Sequence, residues 1–300
     1  GMPAYHKAFA PLVPNFIQAP PPHPYRWDQY GGESAQGGDP GVEAAEAIER
    51  IIQQEGPQTV AAVLAEPVMG AGGVIVPPET YWPRLRAICD QYDVLLIADE
   101  IITGFCRTGR WFGLQHWGVQ PDIVSFAKGV TSGYLPLGGI LLADRVHAAI
   151  DAAPGDLKFM HAATYSGHPT CAAVAHANLD VMERERLDEV AAAKGKRLLE
   201  GLREALGEHP NVGDVRGLGM MCGVELVEDK ASRAPAIGLG GRVIAEMRQR
   251  GVITRIRGGG AGQYPIGDTI CLAPPLTTPD EQLDRIVAIT RDALDAAATA

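Results

Sequence analysis

Cysteine is scarce and scattered. Cys89, Cys106, Cys171, Cys222 and Cys271 are the only five in 300 residues, with no C-x-x-C pair and no histidine cluster beside them. That pattern excludes zinc-site spacing and the disulfide framework of a small secreted domain. Reduced thiols in a cytoplasmic protein are the simplest reading. Long apolar runs are also missing: none approaches the ~20 residues needed to span a bilayer, and no signal peptide opens the chain. Positive charge is in deficit. A formal net charge of −10 repels phosphate backbones and anionic lipid, so neither a nucleic acid nor a membrane surface is an expected partner. The eight histidines lack ligand spacing, so no metal is expected, and no internal repeat is visible.

What is present points to a globular protein, since 46% of residues are hydrophobic and 21% charged. The length allows one large domain or two modest ones. The opening is Pro-rich (Pro11, Pro14, Pro20, Pro21, Pro22, Pro24) and reads as a surface-hugging loop entered from something earlier. With Gly1 ahead of Met2, an amino-terminal portion is expected to precede it.

Beyond a Gly37-Gly38-Asp39-Pro40 breaker, Val42, Ala45, Ile48, Ile51 and Ile52 recur at helical spacing, as do Trp82, Leu85, Ile88 and Cys89. Between and after them lie short apolar runs: Val60 to Ala65, Val94 to Ala98, Asp122 to Ala127 and Leu137 to Leu142. Such runs suit strands buried on both faces of a mostly parallel sheet flanked by helices. From about residue 170 the pattern changes. Long helices are expected over Ala172–Met182 and Leu187–Leu206, two strands around Gly217 and Gly219, a helix over Gly241–Arg250, a strand at Ile270–Leu272 and a last helix over Pro279–Ala298. The expected division is a large domain over 1–174 and a smaller α+β domain over 175–300.

Ligands of open α/β sheets gather beyond the carboxyl ends of the strands. Glu66, Asp99 and Lys128 each follow an apolar run, which makes them a candidate site. Lys128, between a strand and a Gly/Ser-rich turn, is expected to be partly buried; a neutral lysine amine attacks aldehydes. Asp99 at a buried strand end needs a cation or a donor. Taken singly, each has a plainer reading: a lysine whose stem covers apolar surface, an aspartate capping a turn. The hydroxyls of Thr164-Tyr165-Ser166 precede a helix start and suit a phosphate, or simply cap that helix through Ser166 or Thr170.

The combination is more specific than its parts. Leu96 to Phe105 (LIADEIITGF), Arg107-Thr108-Gly109, Pro121-Asp122-Ile123, Ala127-Lys128-Gly129 and Ser132-Gly133 together resemble the signature of class III aminotransferases, fold-type I pyridoxal-phosphate enzymes. Glu66 to Gly73, Thr164 to Pro169 and Pro274-Pro275-Leu276 extend the resemblance along the chain, and the wording is most similar to ω-amino acid or ω-amine:pyruvate transaminases. The resemblance implies that Lys128 carries pyridoxal 5′-phosphate, that Asp99 pairs with its pyridine nitrogen and that Ile101 packs on the ring. Thr164 would bind the phosphate of a neighbouring subunit in a homodimer. Glu66 belongs to the family's Glu-Pro motif, and Arg255 stands where these enzymes hold a substrate carboxylate, with Arg257 as its neighbour. The substrates would be an amine donor and a keto acid acceptor.

Two departures stand out. The family's amino-terminal third has no counterpart, and residues 257–267 look like an insertion. An aminomutase or a decarboxylating transaminase on the same scaffold, or a truncated and catalytically silent chain, are the alternative readings.

Overall fold

The computed structural model describes residues 3–32, 37–260 and 264–299. The elements in chain order are α1 (Pro3–Phe9), α2 (Pro40–Glu55), β1 (Ala62–Ala65), α3 (Tyr81–Tyr92), β2 (Leu95–Asp99), β3 (Ile123–Phe126), β4 (Gly139–Leu142), α4 (Asp144–Ala152), α5 (Pro169–Arg184), α6 (Leu187–Leu206), β5 (Val212–Gly217), β6 (Cys222–Leu226), α7 (Leu239–Gln249), β7 (Arg255–Arg257), β8 (Thr269–Leu272) and α8 (Asp280–Ala298), joined by turns and short 3₁₀ segments.

The strands form two four-stranded sheets. In the first, β1, β2 and β3 run parallel in that order and β4 closes the edge antiparallel to β3. Asp39 starts α2: its carboxylate accepts from the Gly41 and Val42 amides, and Pro40 supplies a preset φ. The stripe Ala44, Ala45, Ile48 and Ile52 then packs with Trp82, Leu85, Ile88 and Cys89 of α3 over Leu96 and Ala98 of β2. Each fully buried Leu or Ile there contributes about 1.5–3 kcal/mol. The expectation of strands buried on both faces is corrected. The opposite face carries Leu64 and Ile140, 56% and 54% exposed, because α2 and α3 cover one side only.

The second sheet, ordered β5-β6-β8-β7, is antiparallel throughout. Leu198 and Leu202 of α6, Val243 and Met247 of α7 and Leu283 and Leu294 of α8 bury Val224, Leu226, Ile270 and Cys222 beneath them. The Gly217–Gly219 turn between β5 and β6 is tightly boxed. Gly219 has φ 55°, and a Cβ there would lie 2.2 Å from the Thr108 backbone. Residues 174 and 175 fall inside α5, whose Ala175 and Met182 share a small core with Phe105, Cys106 and Val130. The fourth core joins Val68 and Val74, from the segment after β1, to Met221 and to Cys271 of β8.

The Pro-rich opening only partly keeps to the surface. Leu12, Val13, Phe16 and Ile17 are exposed, but His23, Arg26 and Trp27 are buried. Buried charges must be paired, and here Glu225 of β6 receives both the His23 ring and the Arg26 guanidinium. No short-range pattern reveals such a contact, since its partners stand about 200 residues apart. Residues 257–267 are in part sheet: Arg257 ends β7, and Gly260 bridges Ile266, with 261–263 outside the described residues.

Candidate active site

Three neighbouring strands deliver three ionisable side chains to one end of the first sheet. Ala65 pairs with Ala98 and Asp99 with Ser125, so Glu66 follows β1 level with Asp99, the last residue of β2. Lys128 lies just beyond the end of β3. Glu66 senses the other two: burial pushes its carboxyl up, the Gly70 N–H opposes the rise, the Asp99 charge adds to it and the Lys128 charge subtracts. Glu66 accepts that Gly70 N–H at 2.8 Å.

Lys128 is exposed, which corrects the expectation of partial burial. The chain breaks outward there. Lys128 has φ 44°, in the left-handed region, and begins a 3₁₀ turn through Thr131. A non-glycine residue in that region costs about 1–2 kcal/mol and needs support from its surroundings. The support comes from Asn178 of α5, whose amide donates to the Gly129 and Val130 carbonyls at 2.9 and 3.0 Å, and from the Thr131 hydroxyl bonded to the Leu135 carbonyl. Gly129 is sterically required, since a Cβ there would lie 2.8 Å from the Phe105 Cβ. Lys128 lines a cavity of about 350 Å³ with Thr131, Gly133, Tyr134 and the 135–137 segment.

Asp99 accepts the Ile101 amide on Oδ1 at 3.0 Å, the turn-capping role open to any aspartate. No side chain among the described residues donates to its carboxylate. The next residue behaves quite differently. Glu100 is buried and takes the Thr103 hydroxyl and the Gly113 and Leu114 amides, so it organises the loop after β2 rather than facing the site. Burial raises its pKa against those donors.

Ile101 is half-buried directly after Asp99. Thr164 is exposed in the turn before α5, and no hydrogen bond ties it to Lys128 or Asp99. Neither Ser166 nor Thr170 caps α5, whose N-cap is His168 with no side-chain bond. Arg255, exposed on β7, reaches the same neighbourhood indirectly: its Nη2 donates to the Gly70 carbonyl at 3.0 Å. It also lines a cavity of about 670 Å³ with Gly70, Ile102, Cys271 and Arg285, and among the described residues no Asp or Glu contributes to that lining. Arg257 points its Nη1 at the Gly258 carbonyl, and its buried Nε has no hydrogen-bond partner among the described residues.

An amine and a carboxylate at adjacent parallel strand ends, with an open cavity beside the amine, suit an aldehyde cofactor that carries a protonatable ring nitrogen. The donor set therefore fits pyridoxal phosphate: Lys128 for the aldehyde, Asp99 for the ring nitrogen. An α/β sheet with such a site, followed by an antiparallel C-terminal domain, is the architecture of fold-type I pyridoxal-phosphate transferases. The chain belongs to the class-III aminotransferase family, which matches residues 1–294 and depends on that cofactor. It is 39% identical to putrescine–pyruvate aminotransferase of Pseudomonas aeruginosa over 100% of this chain and 63% of that one. It is 44% identical to diaminobutyrate–2-oxoglutarate transaminase of Halomonas elongata over 84% of this chain and 53% of that one. An (S)-enantioselective omega-transaminase from Thermomicrobium roseum superposes with TM-score 0.87 at 44% identity, covering 99% of this chain and 64% of that structure. The chain thus spans less than two thirds of the length of these relatives.

Reading the sequence passed over Asn178, Gly70, Arg216 and the structural role of Glu100. Only Gly70 carried a signal, as part of the motif after Glu66.

Proposed function

We propose that this chain carries the lysine-bearing part of a transaminase that moves an amino group from an ω-amino acid or amine to a keto acid such as pyruvate. The observation that supports it most is the row of Glu66, Asp99 and Lys128 at three adjacent parallel strand ends. When bound, pyridoxal phosphate supplies an electron sink that makes a C–H of the donor acidic. Lys128 would hold the cofactor through its Nζ, and the same amine would take that proton and return it, acting as base and then acid. The Asp99 carboxylate would keep the proton on the ring nitrogen by a charge-assisted hydrogen bond. Ile101 would pack beside the ring, and Arg255 would offer a bidentate fork to a substrate carboxylate.

The finer reading of the assembly is a cytoplasmic homodimer, divided into domains at 174/175, in which Thr164 serves the phosphate of the neighbouring subunit. Its support is the exposed group around Thr164: Met160 and Tyr165 are 93% and 81% exposed, and Tyr134, which shares the Lys128 cavity, is 81% exposed. Exposed apolar groups of this kind mark interaction surfaces. Five unpaired cysteines suit a reducing compartment. Among the described residues no helix is long and apolar enough to cross a membrane.

The test is to reduce the cofactor-treated native protein with borohydride, map the labelled peptide and follow alanine formation from pyruvate. The label is expected on Lys128; a label on another lysine ends the assignment.

A further inference from the structure

Residues 69–75 form a closed loop beside the site, bridged by Met69 N to Ile75 O at 3.0 Å and Ile75 N to Met69 O at 3.1 Å. Two arginines of the second sheet hold its carbonyls. Arg216 of β5 donates to Gly73 O at 2.7 Å and Val74 O at 3.0 Å, and Arg255 of β7 donates to Gly70 O at 3.0 Å. The N–H of the same residue, Gly70, goes to Glu66. The two peptide units that flank Gly70 therefore orient two groups of the site.

The two arginines are tethered very differently. Arg216 is buried, and its Nη1 pairs with Glu225 at 2.7 Å and Asp214 at 2.8 Å. Glu225 in turn is fixed by His23 and Arg26. A buried guanidinium with two carboxylates and two carbonyls is a permanent fastening, because breaking any part strands a charge. Arg255 is exposed and forms no salt bridge with a described residue; a neutral carbonyl is its hydrogen-bond acceptor. An anionic carboxylate binds a guanidinium more strongly than a neutral carbonyl does, so Arg255 is the one free to exchange partners.

We infer that Arg216, fastened by Glu225, is a positioning residue: it fixes the 69–75 loop so that Gly70 presets both Glu66 and Arg255, and so governs carboxylate recognition without touching substrate. The part concerning recognition rests on the transaminase reading; the part concerning the loop does not. Presetting matters because an exposed arginine loses side-chain freedom when it clamps a ligand, and a ready-made resting contact removes part of that cost.

The experiment compares the cofactor-loaded native protein with Arg216→Lys, which keeps the charge but has no separate nitrogens to reach the loop carbonyls and the Asp214 and Glu225 carboxylates together. Gly73→Ala serves as a second variant. It strains a φ of +118° in the loop and presses on Ile266 Cδ1 at 3.3 Å without removing a buried charge, so it stays informative if Arg216→Lys fails to fold. Amide hydrogen exchange at 70–74 should quicken at least tenfold while exchange in α2, α3 and β2 is unchanged. The KM for pyruvate should rise about five- to tenfold, with little change in the rate of the half-reaction with a carboxylate-free amine. Unchanged exchange in the loop overturns the inference. So does quickened exchange throughout with KM and kcat falling together, which marks a merely structural arginine. If the protein proves not to transaminate, KM cannot be read, yet the exchange data still decide whether Arg216 fixes the loop.

Discussion

Asn178 and Gly129 stand 49 residues apart, yet the Asn178 amide donates to the carbonyls of Gly129 and of Val130 after it, pinning the turn that starts at Lys128. An amide nitrogen is a pure donor, and the two carbonyls are pure acceptors. Asn178→Ala should cost about 1–3 kcal/mol by leaving them unsatisfied. It should also slow cofactor capture at Lys128 several-fold. Asn178→Asp should do worse than alanine, since it sets a carboxylate against two carbonyls. Urea unfolding and the rate of borohydride-trapped labelling check both, and an aspartate variant as stable as wild type would contradict the geometry.

Asp99 is expected to matter for rate rather than for folding. Among the described residues its carboxylate takes only the Ile101 amide, a bond that asparagine can replace. Asp99→Asn should keep the thermal midpoint within a few degrees while lowering the amine half-reaction about 10²–10³-fold, the usual scale for loss of one preorganised charge contact. Single-turnover spectra of the cofactor measure it. A near-native rate would leave Asp99 with its turn-capping role alone.

Arg255→Ala should separate substrates by charge. The KM for pyruvate should rise about tenfold or more, as expected from losing a charge-assisted bond of about 1.5–3 kcal/mol. The half-reaction with a simple amine should be spared. Arg257→Ala should not mimic it, because Arg257 is half-buried and bonded to its own loop. Equal damage to both substrates would place Arg255 among ordinary surface arginines.

Asp122 supplies a pH test of the fold. Burial pushes its carboxyl up, but hydrogen bonds from Arg145, the Leu96 amide and Arg86 prevail and hold it at about 2. Because the folded value lies below the unfolded one of about 3.9, its contribution is complete above about pH 4. It is lost as pH falls through about 2. With Arg145 partly exposed, that contribution is about 1–2 kcal/mol. Asp122→Asn should remove this amount at pH 6 and flatten the slope of stability between pH 4 and 2. Urea midpoints across that range test it; parallel curves for the two proteins would show that Asp122 is not responsible.

How much of this was legible beforehand varies with the range of the interactions involved. β1, β2 and β3 announce themselves as apolar runs, so the gathering of Glu66, Asp99 and Lys128 at their carboxyl ends was readable. So were the boxed turn at Gly217–Gly219 and the helices of the second domain. α4 went unseen because its 9 residues offer only a short apolar stripe, Val146, Ala149 and Ile150. β7 went unseen because 3 residues are too short a run to show a period. The exposure of Lys128 depends on a left-handed backbone that no local rule demands. Arg26, Arg216 and Glu225 look like surface charges in sequence, and only the folded chain reveals that they complete one another.

The five thiols bring an unplanned benefit. Four of them sit one to a core: Cys89 on α3 facing α2, Cys106 beside Phe105, Cys222 in the second sheet and Cys271 against Val68 and Val74. Burial pushes the Cys89 thiol up to about 11 and those of Cys106 and Cys222 up to about 12, so the native molecule holds little thiolate for an alkylating reagent to attack. Each becomes reactive only when its own core opens. Pulse alkylation read peptide by peptide would therefore date the opening of each region separately, with the wild-type sequence as its own set of clocks.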